Sequence, residues 1–165
     1  MSKGIVLIGM PAAGKSTIGK LLAKLLGCQF VDSDHCIEHQ QGASLQAIVD
    51  SDGYSVFKRI EEHVLLGIDP ESMVLATGGS VIYSDPAMQH LAAKAHIVYL
   101  NVQADTLLSR LENAEQRGLA RKPGQSFASL LAERLPLYER YAEININTEG
   151  LTAQQTAEKI AEHVR

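Results

Sequence analysis

Cysteine is scarce in this 165-residue chain: Cys28 and Cys36 are the only two, and neither stands in a CxxC or Cys/His ligand spacing. That excludes a disulfide framework, argues against a structural zinc site, and fits buried, reduced thiols in a cytoplasmic protein. Positive charge is also in no excess. The net charge of -4 argues against a broad electrostatic footprint for DNA or RNA. Long apolar runs are missing as well. Near the N-terminus only Ile5 to Ile8 run unbroken before Gly9, too short for a signal-peptide core or a bilayer span, so neither export nor anchoring is expected. Internal repeats and low-complexity tracts are absent too. What is left is a chain of single-domain size, 1–165, able to bury about two thirds of its unfolded surface in one core.

Short runs rich in Val and Ile alternate with amphipathic helical stretches, the pattern of an α/β fold with buried parallel strands. Strands are expected at Ile5 to Ile8, Gln29 to Val31, Met73 to Ala76, Ile97 to Leu100 and Glu143 to Asn147. Helical periodicity covers Lys15 to Leu26, stopped by Gly27, and then Ala87 to Ala95, Ala104 to Glu112 and Thr152 to Val164. Ser126 to Tyr141 is helical too, with Pro136 expected to kink or divide it. The most loop-like stretch, Asn113 to Gln125, holds two glycines, a proline and three basic side chains and is a candidate lid.

The stretch GMPAAGKST, residues 9–17, fits G-x-x-x-x-G-K-[ST] between a strand and a helix. Gly9 and Gly14 let the backbone turn tightly, so that the N–H groups of Ala12, Ala13, Gly14 and Thr17 converge with the positive end of the following helix. Polyphosphate is the ligand such a nest accepts. Lys15 is expected to reach the β- and γ-phosphates of ATP, and the Ser16 hydroxyl to ligate Mg²⁺.

Fifteen residues on, FVDSD places Asp32 and Asp34 one residue apart. In a strand, residues two apart share a face, so both acids would project into one small volume and repel. A cation resolves this: Asp32 is assigned to the magnesium side and Asp34 to the acceptor hydroxyl as its base. The alternative for either acid is to cap a helix beginning near His35.

With FVDSD following GMPAAGKST at this interval, the chain resembles the shikimate kinases, members of the nucleoside monophosphate kinase-like P-loop group, over nearly its whole length. FKRIE at Phe57 to Glu61 echoes the family's Phe-Arg-x-x-Glu element, and TGGS at Thr77 to Ser80 its triple-glycine turn. Arg117 matches the lid arginine, Arg134 the substrate-binding arginine, and Arg110 the arginine packed on adenine. The resemblance implies a five-stranded parallel sheet, a substrate-binding region at about 33–62 and a lid at about 113–125. It also implies transfer of the ATP γ-phosphate to the 3-hydroxyl of shikimate, a step in aromatic amino acid biosynthesis, by a monomer. Its partner would be a small hydroxy acid, with no nucleic acid and no membrane involved. Catalysis would rest on Lys15, Asp34 and Arg117, and acceptor binding on Asp34, Lys58, Gly78, Gly79, Ser80 and Arg134.

Four positions depart from that family pattern: Lys58 where it has arginine, Ser80 where it has glycine, Tyr54 in place of an acid, and Gly118 in place of a lid proline. An ammonium lacks the two-pronged grip of a guanidinium on a carboxylate, and a β-carbon at position 80 narrows the pocket or forbids a positive φ. A kinase acting on another hydroxylated metabolite is therefore a second reading, and a non-catalytic nucleotide-binding module a third. Structural alternatives stand beside several assignments. Lys58 can pair with Glu61 or Glu62, Arg110 with Asp105 or Glu112, and Arg134 with Glu133 or Glu139. His35, Cys36 and His39 share a helix face but lack a third fixed ligand for a metal.

Overall fold

The computed structural model describes residues 2–113 and 124–165. Its centre is a five-stranded parallel sheet of β1 (Gly4–Ile8), β2 (Gln29–Asp32), β3 (Met73–Ala76), β4 (Ala95–Asn101) and β5 (Ile144–Asn147), in the order β2-β3-β1-β4-β5. Every residue of β1 is buried, and so are five of the seven in β4. Helices cover the sheet, which is why these strands read as continuous apolar runs rather than alternating ones. Burying side chains such as Leu7, Ile8 and Leu100 contributes about 1.5–3 kcal/mol each.

Helix α1 (Lys15–Leu26) lies over β2 and β3 and against α8 (Ala153–Val164). Gly27, with a left-handed φ of 66°, ends α1 where the sequence predicts. Within α1, Gly19 is demanded by closeness: a β-carbon there would stand 2.6 Å from the Phe30 ring of β2. Helix α8 starts with a capping box, Thr152 accepting from the Gln155 N–H while Gln155 accepts in return from the Thr152 N–H.

Helices α2 (Ser33–Gln41), α3 (Leu45–Asp52) and α4 (Tyr54–Leu66) follow β2. They share a small apolar cluster of their own, Ile37, Ile48, Phe57 and Val64, beside the main core. After β3 comes a single 3-10 turn, Val81–Tyr83, then α5 (Asp85–Lys94), α6 (Ala104–Asn113) and α7 (Phe127–Tyr141).

The structure corrects three expectations about these elements. Helix α2 begins at Ser33 rather than near His35, because β2 stops at Asp32 and that residue is itself the N-cap. Helix α7 runs unbroken through Pro136. Only one backbone donor is lost at Pro136, five residues before the helix ends, and the buried stripe Leu130, Arg134 and Tyr138 at i, i+4 and i+8 anchors both sides of it. Helix α5 also starts two residues early. Ser84 caps it by accepting from Ala87, and Pro86 sits in its first turn.

Strand order decides where a ligand can go. From β1 the chain moves to one side of the sheet, and from β3 it crosses to the other side of β1, so a crevice opens beyond the carboxyl ends of these strands. The glycine loop, the acid pair and the TGGS turn each follow directly on β1, β2 or β3, which are neighbours in the sheet.

Candidate active site

Beyond those strand ends lies a cleft of about 970 Å³. Its floor is the glycine loop. Gly14 adopts a left-handed φ of 93° at the cap of α1, and Ala12 holds a φ of 67°, costly for a residue with a β-carbon. That strained turn brings Ala12, Ala13, Gly14, Ser16 and Thr17 to the cleft, with the N-terminus of α1 facing it. Gly9 lies beneath. Lys15 is buried and donates to the carbonyls of Gly9 at 2.7 Å and Met10 at 2.8 Å. Burial, against the opposing pull of Asp34 and with help from the Arg134 charge, lowers its pKa to about 8.

Asp32 and Asp34 are not on one strand face, since the strand ends between them. Asp32 divides its two oxygens. Oδ2 accepts from Ser16 Oγ at 2.6 Å, and Oδ1 accepts from the Asp34 N–H at 2.9 Å, so the capping role and the contact with Ser16 coexist. Asp34 reaches the cleft from the first turn of α2, and its Oδ1 is buried with no hydrogen-bond partner among the described residues. Burial, then the Asp32 charge, pushes Asp34 up to about 6, with Lys15 opposing.

Glu61, from α4, meets Asp34 across Gly78. A β-carbon built on Gly78 would stand 2.7 Å from Asp34 Oδ1 and 2.9 Å from Glu61 Oε2. Only glycine leaves room for both carboxylates. Burial raises Glu61 to about 7 even though a 2.7 Å hydrogen bond from Ser80 Oγ to its Oε1 favours the charged form, and Oε2 is unpartnered among the described residues. Ser80 adopts φ -95°, so the positive φ that a β-carbon would forbid does not arise. The serine spends its hydroxyl on Glu61 instead.

Arg134, on the buried stripe of α7, is 1% exposed. A β-carbon on Gly79 would lie 2.9 Å from its Nη1, so the guanidinium rests on the glycine turn. Its Nε donates to Tyr83 Oη at 3.3 Å, and Tyr83 in turn donates to Glu133. Tyr138, one helical turn further along, donates to the Gly79 carbonyl at 2.6 Å and fixes the turn from below.

Lys58 is where the structure departs most from expectation. It lines a smaller adjoining cavity of about 430 Å³ rather than the main cleft, and the two spaces share Glu61 and Ser80 at their boundary. Its ammonium lies 5.0 Å from the centroid of Tyr54 and 4.7 Å from that of Tyr83. The acids offered as its alternative partners accept from serines, Glu61 from Ser80 and Glu62 from Ser84. Arg110 is exposed at the mouth of the cleft and donates to the Ala12 carbonyl at 2.9 Å, tying α6 to the glycine loop rather than pairing with Asp105 or Glu112. Arg117 lies outside the described residues, as do Gly118 and most of the expected lid. Among the described residues no His/Cys/Asp/Glu group is arranged to hold a metal, so His35, Cys36 and His39 form no such cluster. No helix among them is long and apolar enough to cross a membrane.

Two tyrosines of the site escaped the sequence reading, and so did the contact made by Thr77 of the TGGS turn. Tyr83 and Tyr138 act through contacts 51 and 59 residues away in the chain, and Thr77 closes the floor by donating to the Leu7 carbonyl at 2.8 Å. No local spacing announces any of them.

A strained glycine loop between the first strand and helix of a five-stranded parallel sheet, facing an acid-lined cleft, defines the nucleoside monophosphate kinase-like class of P-loop kinases. The shikimate kinase family model matches residues 11–165. A shikimate kinase of Thermodesulfovibrio yellowstonii is 40% identical over 161 residues, covering 96% of this chain and 92% of that one. Another, from Shewanella denitrificans, is 36% identical over 165 residues, covering 98% and 96%. The structure of a shikimate kinase from Acinetobacter baumannii in complex with shikimate superposes with a TM-score of 0.89 at 34% identity, covering 99% of this chain and 93% of that one. The chain belongs to the shikimate kinase family, and is thus an ATP-dependent phosphotransferase acting on a hydroxyl group.

Proposed function

We propose that this protein transfers the γ-phosphate of ATP to a hydroxyl of shikimate. The observation that carries the reading is Asp34: a buried carboxylate with one unpartnered oxygen, in the cleft floored by the phosphate-binding loop. An acceptor hydroxyl entering over Gly78 meets that oxygen. Its oxygen forms the new bond to phosphorus, the bond from phosphorus to the β–γ bridging oxygen breaks, ADP leaves, and the hydroxyl proton passes to Asp34 Oδ1. A pKa near 6 suits that task, since the group is largely ionised at neutral pH and still basic enough to take a proton.

The loop N–H groups and Lys15 hold the phosphates, and Arg134 is the cation that receives the carboxylate of the acid. Ser16 Oγ and Asp32 Oδ2, two hard oxygen donors 2.6 Å apart beside the loop, fit a Mg²⁺ ion. Such an ion neutralises charge building on the phosphate oxygens. Arg110, bonded to the Ala12 carbonyl from the α6 side, would border the nucleotide base.

The test is ADP release coupled to an indicator reaction, with MgATP and millimolar shikimate. Acceleration by shikimate is expected, and Asp34→Asn should lower kcat by about 10²- to 10⁴-fold while ATP still binds. A rate indifferent to shikimate, with another hydroxy acid accelerating it, would move the acceptor assignment to that acid and leave the phosphotransfer intact.

A further inference from the structure

Ser80 and Glu61 stand between the main cleft and the smaller cavity, since each lines both spaces. Both are buried, and Ser80 Oγ donates to Glu61 Oε1 at 2.7 Å. A glycine, which the family pattern has at position 80, cannot make that bond. The bond decides which way the Glu61 carboxyl faces. Lys58 lies three residues before Glu61 on α4, a spacing at which an acid and an ammonium can meet on one helix face. Ser80 holds Oε1 instead, and the Lys58 ammonium lies over the rings of Tyr54 and Tyr83.

With Oε1 engaged, Oε2 is turned to Gly78. It lies 2.9 Å from the point where a β-carbon on that glycine would stand, and Asp34 Oδ1 lies 2.7 Å from the same point. Both oxygens are buried and without a hydrogen-bond partner among the described residues. Two orphaned carboxyl oxygens in one place are costly until a ligand brings groups to meet them. Hydroxyls suit both, since a hydroxyl donates to an ionised carboxyl and accepts from a protonated one. Two oxygens gathered around a single glycine are close enough to receive hydroxyls on adjacent carbons of one ligand.

We propose that Ser80 is a specificity-determining positioning residue: by holding Glu61 Oε1 it aims Oε2 beside Asp34 Oδ1, so that the site selects an acceptor with hydroxyls on two adjacent carbons, the reacting one at Asp34 and its neighbour at Glu61. The inference rests on the reading of the acceptor as a hydroxylated acid phosphorylated at Asp34. An acceptor with only the reacting hydroxyl leaves Glu61 Oε2 unmet in a buried place, and that penalty rejects it. Without the Ser80 hydroxyl the carboxyl loses its fixed donor and is free to turn to the Lys58 ammonium, so the second hydroxyl no longer counts.

The experiment is steady-state kinetics of wild type, Ser80→Ala and Ser80→Gly with MgATP and either shikimate or shikimate lacking the 4-hydroxyl, the neighbour of the reacting 3-hydroxyl. In the wild type the missing hydroxyl should lower kcat/KM about 10- to 100-fold. In Ser80→Ala and Ser80→Gly the same comparison should shrink to about threefold or less, chiefly because shikimate itself is used less well. A merely structural serine would lower the rates with both acceptors alike. If the ratio between the two acceptors is the same in wild type and variants, or if the wild type uses both acceptors within about twofold, the selection by Ser80 is refuted and phosphotransfer to shikimate stands. Should Ser80→Ala fail to fold, Ser80→Gly, which restores the family's residue, decides on the same criteria. Calorimetric binding of the two acceptors separates the levels of failure. A wild type without turnover that still binds shikimate more tightly than the deoxy acid, with the preference lost in the variants, sinks the functional reading and keeps the role of Ser80. Neither turnover nor binding of shikimate in the wild type sinks both.

Discussion

The two ends of the cleft are built in different ways. The nucleotide end is mostly backbone from one stretch, residues 9–17, with its donors aimed by a strained turn and the start of α1. The acceptor end is mostly side chain: Asp34 from α2, Glu61 from α4, Ser80 from the turn after β3 and Arg134 from α7. Backbone donors do not depend on which side chain happens to occupy a position. Side-chain donors do, and the departures from the family at positions 54, 58 and 80 all fall on the acceptor side. One end is set by backbone geometry, and the other is a side-chain surface on which specificity can be rebuilt.

Substitutions confined to one end should leave the other working. The largest effect is expected from Lys15→Met, which keeps the apolar stem and removes the buried ammonium bound to the Gly9 and Met10 carbonyls. Turnover should fall by about 10²- to 10³-fold, while shikimate affinity by calorimetry stays within about twofold. Loss of shikimate binding in that variant would break the division between the two ends.

Glu61 tests the acceptor side through stability. Its carboxyl is held neutral up to about 7 by burial, against an ordinary 4.5. Between those values the unfolded chain has released its proton and the folded chain still carries it, so stability falls as pH rises from about 4.5 to 7 and changes no further above that. Glu61→Gln removes this penalty. It should match wild type near pH 4.5 and exceed it by up to roughly 3 kcal/mol at pH 8 in denaturant titrations. A difference independent of pH would mean that the acid is ionised in the folded protein.

A smaller effect is expected from Gly78→Ala, which places a methyl group within 3 Å of both acceptor-side carboxylates. KM for the acceptor should rise about tenfold, with KM for ATP unchanged. Equal rises in both would show that the glycine turn supports the whole cleft rather than one end of it.

The parts legible in the sequence were those set by neighbours in the chain. Strand β3 and the start of α1 fall on the expected residues, and α1 stops at its glycine. The glycine loop, Ser16 with Asp32, and Asp34 were read from contiguous motifs, and all of them meet in the cleft. Pro136 does not divide its helix, because a helix tolerates one missing donor when a buried stripe holds both sides of the gap. Asp34 was expected to share a strand face with Asp32 but arrives through a helix start, because Asp32 ends the strand by capping. Lys58 was expected at the acceptor's acid group, with an acid three or four residues along its helix as the alternative, and its ammonium lies over two rings.

The sequence by itself determined the class of chemistry, because a phosphate nest is a local backbone shape that glycine spacing and a following helix dictate within nine residues. Only the tertiary structure decided how the acid side is assembled. Tyr83 meets Arg134 across 51 residues and Glu61 meets Ser80 across 19. Contacts at such separations are made by packed helices and strand order, and no periodicity within either segment encodes them.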